Sequence, residues 1–172
     1  MNVKLQGIFA RRSVRRYQER PIPEELLTDL LQAAMAAPSA VARDPWHFIV
    51  VRDPEVRGKI ASLLPNGGMA RQAAAVIVVC GDQEKAHGGL ESYLLQDCSA
   101  AVENVLLAAV ALGLGACWLG VHPRPERVEG MRALFELPPP IVPVAGIALG
   151  WPAENPEART RYRADAVHWE RW

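Results

Sequence analysis

Two kinds of hydrophobic spacing alternate along this chain. Leu26, Leu27, Leu30, Leu31 and Ala34 fall on one stripe at helical spacing. Pro23-Glu24-Glu25 precedes them, and proline with carboxylates suits the first turn of a helix. Pro38 closes that segment, because proline disfavours helical geometry in the residue before it. Trp46-His47-Phe48-Ile49-Val50-Val51 is instead a short aromatic and β-branched run between turn signals, which predicts a strand. Asp53-Pro54-Glu55 then caps a helix to about residue 64. Ala75-Val76-Ile77-Val78-Val79-Cys80 predicts a second strand, apolar at every position and therefore covered on both faces.

The longest helix is predicted over 94–113, with Leu94, Cys98, Ala101, Val105 and Ala108 on one stripe and Leu95, Val102, Leu106, Ala109 and Val110 widening it. Past Asn104 it has almost no polar face, which predicts a core helix. Ala116-Cys117-Trp118-Leu119-Gly120 reads as a third strand, 125–135 as a helix and 141–149 as a fourth strand, where Pro143 calls for an edge or a bulge. A short helix over 2–12 would use Val3, Ile8 and Phe9 as its apolar contacts. Residues 153–172 are polar and Arg-rich and read as an extended C-terminal arm. Strands alternating with helices predict an α/β or α+β domain of three layers, one domain over 1–172.

Composition narrows the function. Half of the 172 residues are hydrophobic and 22% are charged, so the chain buries a substantial core. Its formal net charge is zero, which argues against a nucleic-acid binder. The 4 histidines make no metal-ligand spacing with each other or with cysteine. The 3 cysteines, Cys80, Cys98 and Cys117, read as buried free thiols in a reducing compartment. No signal-peptide pattern opens the chain, and the apolar stretch 105–120 is too short for a membrane span, so a cytoplasmic protein without a membrane partner is expected.

Against that neutral background, Arg11-Arg12-Ser13-Val14-Arg15 holds three arginines and no carboxylate. Guanidinium forks with a serine hydroxyl suit a phosphate monoester; the same residues would also suit the solvated face of a first helix. A second carboxylate-free run, Arg159-Thr160-Arg161-Tyr162-Arg163, lies in the arm and could converge on the same phosphate. The loop 37–46 is stiffened by Pro38 and Pro45, and Gly120 ends the third strand where a ligand could approach the backbone. No triad, carboxylate pair or metal cluster competes with these. An enzyme so poor in acids and bases needs a cofactor for its chemistry.

Five segments in order, RRSVRRY from Arg11, APSAVARDPWHFIVV from Ala37, DCSAAVENVLLAAVALGLGACWLG from Asp97, PVAGIALGWP from Pro143 and RTRYRADAVHWERW from Arg159, resemble the nitroreductase family of flavoproteins over nearly the whole chain. The resemblance implies an α+β, three-layer α/β/α fold with a central mixed β-sheet and a long buried central helix. It implies a homodimer with FMN at the subunit interface and NADH or NADPH as electron donor. The reaction implied is hydride transfer through flavin N5 to a small-molecule acceptor such as a nitroaromatic or quinone, by a ping-pong cycle. Other reactions on the same scaffold (dehydrogenation, dehalogenation, flavin cleavage) and a non-catalytic flavin-binding sensor are the alternatives.

Carried over by position, Arg11, Arg12, Ser13 and Arg15 hold the FMN phosphate and ribityl chain, Arg12 mainly by its backbone, and Arg159 and Arg161 close on the same phosphate. Sliding the arm by two residues would put Arg163 in place of Arg159. Pro38, Ser39 and Ala40 reach the flavin from the other subunit, Asn66 meets its pyrimidine side, and Leu119 and Gly120 present backbone amides near N5 and O4. The flavin carries the chemistry, so no catalytic side chain and no metal ligand is expected. Two departures stand out. Ala42-Arg43-Asp44 replaces the family's Asn-x-Gln, and the short segment 81–92 lacks an excursion over the flavin, which implies a more open pocket.

Overall fold

The structure is a computed structural model that describes residues 2–172; Met1 lies outside the described residues. Four strands form one sheet in the order β1-β2-β4-β3, with β1 at Trp46–Val51, β2 at Ala75–Asp82, β3 at Gly115–Gly120 and β4 at Ile141–Gly150. All three pairings between them are antiparallel. The expected mixed sheet is thus corrected: parallel pairing enters only where Ser13 bridges Ala116 on the outer edge of β3. Pro143 sits in an interior strand, and the bulge half of its expectation holds. The β2–β4 register shifts between Val79 and Cys80, where Cys80 faces Pro143.

Helices α1 (Gln6–Ala10), α2 (Glu24–Met35), α3 (Pro54–Leu63), α4 (Glu91–Ala111) and α5 (Pro125–Phe135) complete the chain. The alternation of β2 sorts them into layers. Ala75, Ile77 and Val79 pack with Leu27 and Leu30 of α2 and Leu94, Cys98 and Val105 of α4. Val76, Val78 and Cys80 pack with Ile60 of α3 and Met131 of α5 on the other face. Both faces of β2 are covered, which is why every residue over 75–80 can be apolar. Local signals behave as their chemistry demands: the Asp53 carboxylate caps α3 by accepting from the amides of Glu55 (2.8 Å) and Val56 (3.0 Å).

Three sequence expectations change. The first helix is shorter than 2–12: a 3-10 turn at Val3–Leu5 leads into α1, and Arg11 is already extended at φ −62°, ψ 116°. The arginines therefore lie on no helix face. Val14 and Tyr17 are buried against the sheet, and that burial draws the segment out along β3 instead. Second, α4 spans 21 residues and contains an 18-residue window of mean hydropathy 1.4, long and apolar enough by length and composition to cross a membrane, against the expectation of a stretch too short. Here Leu94, Cys98, Ala101, Val102, Val105 and Ala109 are sealed in the core. Third, α4 is covered on one flank only; Tyr93 and Ala111 are exposed and Leu107 and Val110 half-buried on the other.

Gly115 opens β3 beneath the arginine segment. A Cβ there would lie 2.6 Å from Cγ1 and 2.9 Å from Cβ of Val14. Gly115→Ala should therefore cost about 1–3 kcal/mol by overpacking, read as a lowered urea midpoint with unchanged m-value. Burial also pushes the thiols of Cys80 and Cys98 up from 9.0 to about 12. Below pH 9 both states keep their protons and this contribution is whole. Between pH 9 and 12 the unfolded chain ionises first, so stability falls as pH rises. Urea midpoints should drop across that window, with a shallower slope in a Cys80→Ala/Cys98→Ala double variant.

Candidate functional site: an arginine-lined cavity and the end of strand β3

Arg11, Arg12, Ser13 and Arg15 come together with Arg159, Thr160 and Arg161 around one cavity of 360 Å3, completed by Ile8 and Phe9. A ladder of contacts brings the two ends of the chain to that spot. The Ala153 amide donates to Arg16 O (2.9 Å), and Glu154 Oε1 accepts from the amides of Arg15 (2.6 Å) and Arg16 (3.2 Å). Arg12 donates from Nη1 to the Glu157 carbonyl, and the Arg159 amide donates to Phe9 O (3.2 Å). The arm is thus stapled along the N-terminal segment, and Arg159 and Arg161 follow from its path. Arg163 lies beyond that cavity's lining, with its Nε 3.9 Å from Asp165 Oδ1.

The cavity is electrostatically unfinished. Arg11 Nε has a carboxylate partner, Glu103 Oε1 at 3.4 Å. Among the described residues no carboxylate lies within 4.0 Å of the guanidinium of Arg12, Arg15, Arg159 or Arg161. Arg159 is pushed below its ordinary value, first by Arg12 and then by Arg161. Like charges held this close favour an anion among them.

The Ser13–Ala116 bridge sets this cavity beside β3, and the Val14 amide donates to Ala116 O at 2.9 Å. Gly120 lies four residues further along, about 13 Å at ~3.3 Å per residue. A second cavity of 220 Å3 opens there, lined by Leu64, Asn66, Gly67, Trp118, Leu119, Gly120 and Arg127. Asn66 and Gly120, distant in sequence, therefore share one lining. A Cβ on Gly120 would meet nothing nearer than 3.9 Å, so the backbone there stands open to a ligand. Between the two cavities, burial raises the Cys117 thiol, with Arg15 and Ser13 pulling the other way. A thiol so held is no nucleophile.

Pro38, Ser39 and Ala40 line neither cavity. They begin a loop of unusual backbone, with Val41, Ala42 and Asp44 at φ 47°, 52° and 48°. Such angles cost free energy for residues with a Cβ and persist where the surroundings enforce them. Two carboxylates do so. Ser39 Oγ donates to Asp44 Oδ1 (2.5 Å) while the Asp44 amide donates to Ser39 Oγ (2.9 Å). Asp97 of α4, buried, accepts from the Ala40 amide at 2.9 Å, and its second oxygen has no partner. The departure at Asp44 is accordingly spent inside the loop, on Ser39.

Sequence reasoning missed Glu154 and Arg127, and it gave Asp97 no role. Glu154 and Asp97 bond to backbone amides from distant segments, which leave no trace in side-chain identity. Arg127 did leave one: a cation in the first turn of α5, after Pro125, stands at the end of the helix where the dipole disfavours it.

An anion cradle joined by a strand edge to an open glycine backbone fits an elongated ligand with an anionic group at one end. Known proteins are similar to this chain over nearly its whole length. A protein of Methanothermobacter thermautotrophicus, provisionally named NADH dehydrogenase/NAD(P)H nitroreductase, is 49% identical over 170 residues, covering 98% of this chain and 87% of the relative. A structure from Parabacteroides distasonis with the same provisional name superposes at TM-score 0.93, with 39% identity and all of both chains covered. One from Desulfovibrio desulfuricans, provisionally a nitroreductase and solved in complex with FMN, gives TM-score 0.86 at 34% identity, covering 100% of this chain and 99% of that one. The sequence itself matches the nitroreductase family over residues 8–67 and 62–151, and the chain belongs to that family.

Proposed function

We propose that this protein is an FMN-dependent oxidoreductase that draws hydride from NADH or NADPH and delivers it to a small-molecule acceptor, a nitroaromatic or a quinone, in a ping-pong cycle. The observation that carries this reading is the set of guanidiniums at Arg12, Arg15, Arg159 and Arg161, gathered from both ends of the chain without a carboxylate partner. A phosphate monoester relieves their repulsion and accepts their forked hydrogen bonds.

When bound, FMN supplies the redox chemistry, taking up hydride at N5 and giving it up to the acceptor. The residues of the chain bind and orient. Arg11, Arg12, Ser13, Arg15, Arg159 and Arg161 would hold the phosphate and ribityl chain, Arg11 steadied by Glu103. Asn66 would meet the pyrimidine side, and the peptides of Leu119 and Gly120 the edge at N5 and O4. Donor and acceptor would use one face in turn, which the short segment over 81–92 leaves open. No side chain is assigned as an acid, base or nucleophile.

The same reading makes the protein a homodimer in the cytoplasm. The uncovered flank of α4 supports this, as do Trp169 and Trp172, exposed on an arm that packs on little of its own subunit. Pro38, the Ser39 backbone and Ala40 would then reach the flavin of the partner, the Ser39 hydroxyl being committed to Asp44.

Two measurements test the reading. The purified, FMN-supplemented protein should show a flavin spectrum that NADH or NADPH bleaches under anaerobic conditions, and should sediment as a dimer at micromolar concentration; a colourless monomer refutes it. Arg159→Ala/Arg161→Ala should weaken FMN binding roughly 10–100-fold, from the loss of charge-assisted hydrogen bonds. The FMN-free variant should be at least as heat-stable as the parent, because repulsion with Arg12 is relieved. Undiminished flavin affinity would return these arginines to an ordinary solvated surface.

A further inference from the structure

The guanidinium of Arg127 is the one charged group in the lining of the cavity at the end of β3. Its Nη1 donates to the Gly120 carbonyl at 2.9 Å, and its Nε is buried with no hydrogen-bond partner. Among the described residues no carboxylate comes within 4.0 Å of it. It stands in the first turn of α5, where a cation is disfavoured by the positive end of the helix dipole. A part-buried arginine at that end of a helix, bonded to one carbonyl and met by no carboxylate, carries a charge that the subunit leaves uncompensated.

We infer that Arg127 is a positioning and tuning residue for the redox centre: it fixes the Gly120 peptide and sets an uncompensated positive charge against the ring end of the flavin site. The inference rests on the FMN reading above and goes beyond it by naming what sets the driving force for reduction. Gly120 is held in β3 opposite Ala145 of β4, and the hydrogen bond from Arg127 adds a restraint on its outward carbonyl. The charge then acts selectively. Two-electron reduction places additional negative charge on the flavin's ring, and a nearby cation stabilises that form more than the oxidised one. The phosphate cradle cannot do this, because its arginines face a group whose charge does not change during the reaction.

The test is the two-electron midpoint potential of bound FMN, measured by dye equilibration, with the dissociation constant of oxidised FMN measured alongside. Arg127→Met should favour the oxidised form about tenfold relative to the parent, a fall of about 30 mV for a two-electron couple. Oxidised FMN should bind within threefold of its parental affinity. Arg127→Lys keeps the charge while losing the fork, and should restore most of the potential. A parental potential in Arg127→Met overturns the inference. So does an Arg127→Lys protein that falls as far as Arg127→Met, since charge would then not be the lever. Should Arg127→Met fail to fold, Arg127→Gln carries the same comparison. If the parent itself binds no FMN, it is the functional reading that fails, and the two failures are told apart.

Discussion

Four guanidiniums held together without a carboxylate repel one another, and much of this molecule can be understood as the framework that holds them in place. Arg12, Arg15, Arg159 and Arg161 come from opposite ends of the chain, and their like charges favour separation. The Glu154 carboxylate prevents it while sparing the guanidiniums, because it spends one oxygen on the backbone amides of Arg15 and Arg16. The arm contributes backbone acceptors and donors at Glu157 and Arg159 in the same spirit. Apart from the Arg12 Nη1 bond to the Glu157 carbonyl, the attraction runs through backbone amides, and no carboxylate neutralises the four guanidiniums.

That ladder needs a rigid base, and the outer edge of β3 is the base. Val14 and Tyr17 anchor the segment, the single proton of the Tyr17 hydroxyl being shared between Val14 O (2.7 Å) and Ala148 O (3.1 Å). Burial pushes that hydroxyl far above its usual range, so it stays a donor at any physiological pH. Gly115 and Gly150 make room: a Cβ on either would strike Val14 or Tyr17 at under 3.0 Å. One strand therefore carries both the anchor of the arginine cradle and, at its far end, the open Gly120 backbone. Their spacing is a property of the sheet rather than of a loop, which is how a site gains precision.

The elements were legible because each states its own periodicity: the α2 stripe, the continuous run of β2 and the Asp53 cap are local and came out in place. The convergence of the two arginine runs was legible too, as two like-charged segments in a neutral chain. Strand pairing was not. Nothing in Pro143 says whether it stands on an edge or in an interior bulge, and only β2 on its other side decides that. The helical reading of residues 11 and 12 failed for a related reason: the burial of Val14 and Tyr17 against β3 outweighs local preference. Glu154 and Asp97 stayed hidden because their partners are backbone amides, which every residue but proline carries.

The loop 38–44 shows where a single subunit stops explaining itself. Three residues with Cβ atoms are held at positive φ, and a buried carboxylate on α4 is committed to one amide of that loop. Strain of this kind is of order 1–3 kcal/mol per residue, and within the subunit it serves neither cavity. In the proposed dimer it acquires a purpose. Asp97 lies on the same helix that leaves a flank uncovered, so the element that would meet the partner also grips the loop that would reach the partner's flavin. Dimerisation and completion of the site would then be one event. A chain with zero net charge could keep its arginines unpaired at little risk, because the cofactor they hold and the second subunit that covers it would arrive at the same interface.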